Sequence, residues 1–390
     1  MAALRPITKR LTRPVEGLPM LIIDGDYPMA FGALDLNRDL TVSIAEARAQ
    51  PDKEPNSLNP NTGIMATLPE MRRGGIAAAL VKVGARIKRP GSLLPGYTSG
   101  ENAYAVAQGQ LAYYNILAKR GEAALLRTRG ECSTHFARWE AVDAAGGDAS
   151  SLPVGFVLGM EGADPILWPE QVDDWHSDGL RVISLTHYGP SSYAHGTGTP
   201  GGLTPLAKPL LRAMERLGMI LDLTHISDDG FWQALDLFNG PVLASHQNCR
   251  SLVPEERQFS DAQLQAVIAR GGVIGASMDT WMLYPGTPHD WAKKGNPDRR
   301  AVFPRGAVTL AHVADHIDHV CQLAGNADHA AIGGDTDGQG GAEGAPADVD
   351  TVADYQRLAG ILAGRGYGDE SVNKILWANW FRFYQRWLPN

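Results

Sequence analysis

Five hydrophobic runs in this chain each stop at a side chain that binds metal ions or moves protons. They are LIIDGD, which delivers Asp24 and Asp26; VGFVLGMEG, with Glu161; GMILDLTH, with His225; GPVLASH, with His246; and HAAIGGDTDG, with Asp335. Asp24 and Asp26 stand two residues apart, so an extended strand projects both from one face. The six residues offer four carboxylates and two imidazoles. Carboxylates brought close together raise one another's pKa, and a divalent cation is the ordinary way to hold them. Mixed imidazole and carboxylate ligands suit zinc, manganese or iron. One carboxylate can bridge two ions about 3.5–4 Å apart, and such a pair activates a shared water. Singly, each residue has a plainer reading. An Asp after a strand usually caps a turn or helix, Thr224 to Asp228 could simply feed a helix cap at Ser227, and His246 could be a turn histidine. Their joint placement at strand ends favours the metal.

Residues spread over three hundred positions serve one site only if the fold gathers the strand ends. Apolar runs occur at 21–26, 75–83, 155–161, 181–187, 219–225, 241–246, 272–278 and 330–335. Several are continuous rather than alternating, as expected of parallel strands buried on both faces. Helical patterns lie between them, at 101–128, 204–218, 228–238, 260–272 and 307–325. Thr204-Pro205 reads as a helix start closed by Gly218, and Ser260-Asp261 as another closed by Gly271-Gly272. Eight strands alternating with helices predict a (β/α)8 TIM barrel, whose C-terminal strand ends converge at one mouth. No strand is followed by the glycine-rich phosphate fingerprint of dinucleotide folds. Residues 1–20 read as an N-terminal arm. Residues 21–390 read as a single barrel domain ending in an aromatic helix, NKILWANWFRFYQRWLPN. The polar stretches 51–65, 88–101, 188–203, 279–305 and 338–350 follow strand ends, where a barrel places its substrate loops.

Composition narrows the classes. Of 390 residues 44% are hydrophobic and 20% charged, ordinary values for a globular chain. A net charge of −8 without any basic run argues against nucleic acid as a partner. No run of 18 apolar residues marks a membrane span, and the basic N-terminus lacks the apolar core of a signal peptide. Three widely spaced cysteines form no disulfide framework, which suits a reducing compartment and sets cytoplasmic as the expected location.

Longer stretches carry a family resemblance. LPEMRRGGIAAAL, GMEGADPI, GLRVISLTHYG, GLTPLAKPLLRAMERLGMILDLTHIS, PVLASHQNCRSLVPEERQFSDAQLQAVIARGGVIG, HIDHVCQLAGNADHAAIGGDTDG and ILWANWFRFY resemble the membrane (renal) dipeptidases, metallopeptidase family M19 of the amidohydrolase superfamily. The resemblance runs from about residue 21 to the C-terminus. It implies a barrel with two zinc ions, a small peptide substrate and a homodimer. It implies that Glu161 bridges the metals, that His225 and His246 hold the second, and that Asp26 and Asp335 hold the first. It adds two residues that ligand logic misses: His187, in LTHYG, as the non-ligand histidine that polarises the scissile carbonyl, and Arg257, in ERQFSD, as the arginine that holds the substrate. Asp335 then also carries the proton from the attacking water to the leaving amine.

One departure stands out. The family's first strand ends in His-x-Asp, whereas this chain has Asp24-Gly25-Asp26. Three readings follow. Asp24 replaces the histidine as a ligand, giving a harder, oxygen-rich first site open to manganese. Or the first site is weak or empty, leaving one metal on His225, His246 and Glu161. Or Asp24 carries a proton and acts as a donor. The expected function is a metal-dependent dipeptidase. The alternatives are a degenerate member that only binds, or an amidase or lactonase acting on another substrate.

Overall fold

The computed structural model describes residues 20–49, 63–90, 92, 94–285, 305–336 and 341–390. The expected arm, apart from Met20, and most of the loops at 51–65 and 279–305 lie outside the described residues, as do 337–340. Among the described residues nine parallel strands form the frame: β1 (Ile22–Tyr27), β2 (Ile76–Val83), β3 (Ala123–Leu125), β4 (Val154–Glu161), β5 (Val182–Ser184), β6 (Ile220–Asp222), β7 (Val242–Leu243), β8 (Ile274–Ser277) and β9 (Ala330–Gly334). Hydrogen bonds run in the order β1-β2-β4-β5-β6-β7, and β8 pairs with β9. The Ala244–Ile274 bridge joins β7 to β8, and the Asp335 N–H to Asp26 carbonyl bond at 3.0 Å closes β9 onto β1. The result is the expected α/β barrel.

β3 corrects the expected helix at 101–128. The helix spans Gly100–Lys119, and Gly121, with φ of +79°, turns the chain out of it. Ala123–Leu125 then pairs with Val154–Phe156 along the first half of one edge of β4, whose second half pairs with β5. The start read at Thr204-Pro205 is also corrected: the helix is Ala207–Leu217 with Leu206 as its N-cap. The Thr204 hydroxyl donates to the Ser192 carbonyl and accepts the Leu206 N–H at 3.3 Å, one turn ahead of the helix proper. Gly218 does end that helix in the left-handed region. Ser260 caps the helix Asp261–Ala269 through a reciprocal bond pair with Gln263.

Strands buried on both faces alternate between an inner and an outer core. Ile183, Leu221, Val242 and Val81 pack outward against the helices. Leu80, Val182, Ile220 and Leu243 point inward, together with Trp377 and Trp380 of the C-terminal helices. Trp380 donates its indole N–H to the Ile332 carbonyl, so the aromatic terminus packs against β9. Two residues further along the same inward faces come Lys82, Ser184, Asp222 and Ser245, all buried. The period of two thus stacks a polar layer on an apolar one, directly beneath the mouth.

Candidate metal centre

The mouth gathers five of the six expected ligands. Glu161 ends β4, His225 and His246 follow β6 and β7, and Asp335 follows β9. Their donor atoms fall into two groups, each within 4.8 Å: Glu161 with His225 and His246, and Asp26 with His246 and Asp335. Backbone geometry aims two of them. His225 and Asp335 have φ of +68° and +62°, a left-handed turn that non-glycine residues enter rarely and at some cost. Gly334, at φ +52°, must be glycine for a second reason: a Cβ there would overlap the Asp24 carboxylate.

In the first group the geometry is that of a cation cradle. His225 Nε2 and His246 Nε2 face one another at 3.0 Å. Glu161 Oε1 stands 3.7 Å from the former and 3.4 Å from the latter. Bonds of about 2.0–2.1 Å at tetrahedral angles separate donors by roughly 3.3 Å, so the three fit a zinc-sized ion. Each imidazole turns its other nitrogen to an outer partner. His225 Nδ1 meets Thr197 Oγ1 at 3.2 Å, and His246 Nδ1 meets Ser245 Oγ at 2.9 Å and Asp26 Oδ1 at 3.3 Å. That is how ligating histidines are oriented. Glu161 Oε1 is buried and has no hydrogen-bond partner among the described residues. A buried carboxylate oxygen facing two imidazole nitrogens is a donor set that fits a divalent cation.

Burial depresses the His225 pKa well below the ordinary value, helped by Arg257. Burial works the same way on His246, but Asp26 and Asp335 beside it outweigh that and push it up to about 9. Burial, reinforced by Asp26, raises Glu161. Burial pushes Asp335 up to about 7, opposed by His246 and aided by Asp279.

The aspartate side is built differently. Asp24 belongs to neither group. Its carboxylate accepts the Asp26 N–H at 3.0 Å, and burial raises its pKa well above the usual range. Lys82, unremarked in the sequence, reaches up from the polar layer. Its Nζ lies 3.0 Å from Asp26 Oδ1, 2.9 Å from Asp222 Oδ2 and 3.2 Å from Ser245 Oγ. The Lys82 and Asp26 side chains are only 2% and 1% exposed. Burial opposes charge on both. Asp222 and Asp26 nonetheless raise the lysine, while His246 and Lys82 hold Asp26 low. Asp222 also accepts from the Thr224 and Ser245 N–H groups, and Lys82 keeps its carboxyl well below the usual range despite burial.

His187 stands beside the first group, with Nε2 3.9 Å from Glu161 Oε2. Arg86 approaches its Nδ1 at 2.6 Å. A guanidinium only donates, so Nδ1 accepts and the ring proton sits on Nε2, facing the site. Burial, then Arg86, depresses the His187 pKa well below normal, so the ring is neutral. Arg257 is buried behind His246, donating to the His246 carbonyl and to Gln247 Oε1 at 2.9 and 2.7 Å. Its Nε–H has no partner among the described residues. Above these residues opens a cleft of about 460 Å³, lined among others by Phe31, Lys82, Arg86, Tyr97, Glu161, His187, Tyr188, His225 and Asp335. That volume suits a small molecule.

Lys82, Asp222 and Arg86 were missed from the sequence. Lys82 and Asp222 did leave a signal: each is a lone charge inside an apolar strand, IAAALVKV and ILD, and such a charge needs a buried partner. Arg86 left none, because it lies beyond the strand in a loop.

Fold and site together define an α/β barrel whose carboxylates and imidazoles gather at the C-terminal mouth. A family model for membrane dipeptidase (peptidase family M19) matches residues 32–387. The chain belongs to that family. Among relatives, it is 31% identical over 192 residues to a Klebsiella pneumoniae protein known only by its place in the pqqA 5' region, covering 49% of this chain and 63% of that protein. It is 29% identical over 215 residues to dipeptidase tcpJ of Claviceps purpurea, covering 53% and 45%. The chain thus spans about half the length of the curated relatives it matches. Among solved structures, the M19 metallopeptidase dipeptidase AC superposes with a TM-score of 0.71 at 21% identity, over 96% of this chain and 100% of that one. A Rhodobacter sphaeroides metallopeptidase, solved with a phosphinate mimic of L-Ala-D-Ala, gives 0.71 at 21%, over 95% and 100%. No described helix is long and apolar enough to cross a membrane.

Proposed function

We propose that this chain hydrolyses the peptide bond of dipeptides and similarly short peptides, using a divalent metal, zinc first and manganese second. The observation that carries this reading is the first donor group: Glu161 Oε1, His225 Nε2 and His246 Nε2, separated by 3.0–3.7 Å at the floor of the cleft. An ion held there would supply Lewis acidity and an acidified water. The chain's own residues do the rest. His187, fixed by Arg86 as the Nε2–H tautomer, donates to the carbonyl oxygen as negative charge develops on it. Asp335, with a pKa near neutrality, takes the proton from the attacking water and returns it to the leaving amine. The family resemblance supports a substrate-holding role for Arg257, which lies buried behind His246 with its Nε–H unpartnered among the described residues. The dipeptide mimic bound by the Rhodobacter relative supports a peptide of this length.

Residues 21–390 would act as one catalytic unit. Family membership supports a homodimer. Three buried, unpaired cysteines support a reducing, cytoplasmic setting. The test is hydrolysis of L-Ala-L-Ala and L-Ala-D-Ala by the purified protein, with added zinc or manganese and with a chelator. Chelator-sensitive release of free alanine is expected. A folded, metal-loaded protein that cleaves neither dipeptide would sink the reading.

A further inference from the structure

The resemblance implies two metal ions, yet the two halves of this mouth do not offer two equivalent places. We propose that the centre binds a single divalent ion, on Glu161, His225 and His246, and that the Lys82 ammonium, wedged between Asp26 and Asp222, stands in for the second cation. This rests on the metal-hydrolase reading above and adds the number of ions and the device that sets it.

Four observations converge. First, a cation already sits against the carboxylate that a second ion would need: Lys82 Nζ is 3.0 Å from Asp26 Oδ1. It is anchored from below by Asp222 Oδ2 at 2.9 Å and Ser245 Oγ at 3.2 Å. A lysine held by three partners within a packed barrel has little room to swing aside. Second, Asp26 already serves His246. Its Oδ1 lies 3.3 Å from His246 Nδ1, the carboxylate-to-histidine contact that orients a ligating imidazole. Third, the second donor group depends on His246, which also belongs to the first, and one neutral imidazole has one lone pair to give. Fourth, Asp24 stands where the family carries a histidine ligand. Its carboxylate lies against Gly334 and the Asp26 N–H, outside both donor groups.

Charge explains why the arrangement is stable. A carboxylate pair buried at this depth needs a counter-cation. An ammonium on a strand provides one permanently, without any demand on the metal supply. Placing a divalent ion beside it would set two cations, three positive charges in all, against one aspartate.

Metal counting on the intact protein tests this. The purified chain is loaded with excess manganese or zinc, freed of unbound ion, and measured by elemental analysis. One ion per chain is expected. The manganese form should give the six-line electron paramagnetic resonance spectrum of an isolated ion rather than the broadened spectrum of a coupled pair. Two ions per chain, or a coupled spectrum, overturns the proposal while leaving the hydrolase reading intact. No bound ion, with no hydrolysis, overturns the hydrolase reading itself. The variant Lys82→Met frees Asp26 and should raise the count towards two, provided circular dichroism shows a folded chain. If folded Lys82→Met still holds one ion, the lysine is not what excludes the second. Asp24→His, which restores the family residue but keeps Lys82, should stay at one. A rise to two in that variant would assign the effect to Asp24 instead.

Discussion

The two sides of the barrel mouth use the same residue types to opposite ends. On the histidine side, Glu161, His225 and His246 leave a gap between three donor atoms, and Glu161 Oε1 has no partner among the described residues. On the aspartate side, the Lys82 ammonium stands as an ion pair between Asp26 and Asp222, although the Asp26 oxygens, like Glu161 Oε1, accept no hydrogen bond among the described residues. A donor set waits for a ligand when its neighbours above and below are themselves acceptors or donors already spent. It is filled when the strand next door can deliver a cation. What decides between the two is the identity of one inward residue per strand: Lys82 on β2 is long and charged, whereas Ser184 on β5 is too short to intrude.

That contrast can be broken from several directions. The largest effect is expected on the histidine side. His225→Ala or His246→Ala should remove the bound ion and lower dipeptide hydrolysis by more than about 10³-fold, since even outer partners of metal ligands cost 10–100-fold. Metal content and kcat/KM, measured together, check it. Retained activity in a metal-depleted variant would place the chemistry elsewhere. Next comes Asp335→Asn, which should cut kcat by about 10²–10⁴-fold as a lost proton carrier while the ion stays bound. Loss of the ion along with the rate would make Asp335 a ligand first. Asp26→Asn should act more mildly and through His246, weakening metal affinity by about 10–100-fold, as read by competition with a chromophoric chelator.

A smaller effect is expected at Arg86. Arg86→Met frees the His187 ring to take either tautomer, and kcat should fall by about 10-fold, the worth of one hydrogen bond of about 1.4 kcal/mol. KM should move less, and Arg86→Lys should recover part of the rate. The last prediction bears on stability rather than catalysis and serves as a control on pH experiments. Burial holds His135 at about 4 and His316 at about 3, and neither belongs to the donor groups of the mouth. In the unfolded chain each has an ordinary value near 6.5. The unfolded state therefore binds more protons as pH falls below about 6.5. Each residue should cost about 1.4 kcal/mol of stability per pH unit down towards its folded pKa, with nothing lost above pH 7. Urea unfolding at pH 7 and pH 5 measures this slope, and separates loss of fold from loss of metal in acid.

Much of this was legible from local pattern. Apolar runs that end in Asp, Glu or His announced both the strands and the rim residues, because strand ends and side-chain alternation are local properties. Ser260 and Gly218 likewise marked helix ends by their own chemistry. The short strand at Ala123–Leu125 was hidden because AALL is as good a helix pattern as a strand pattern. Only pairing with β4 decided it. Arg86 was hidden for a related reason, since nothing near it in sequence reveals that His187, a hundred residues on, will present Nδ1 to it.

The sequence by itself determined which chemistry is possible here: a barrel, a rim of carboxylates and imidazoles, and membership in a dipeptidase family. The tertiary structure alone decided how those groups divide. Lys82 lies 140 residues ahead of Asp222, and only closure of the barrel brings its ammonium to 2.9 Å from Asp222 and 3.0 Å from Asp26. Side-chain type is written residue by residue, but the energy of a buried charge depends on every charge around it. That sum exists only once the strands are assembled.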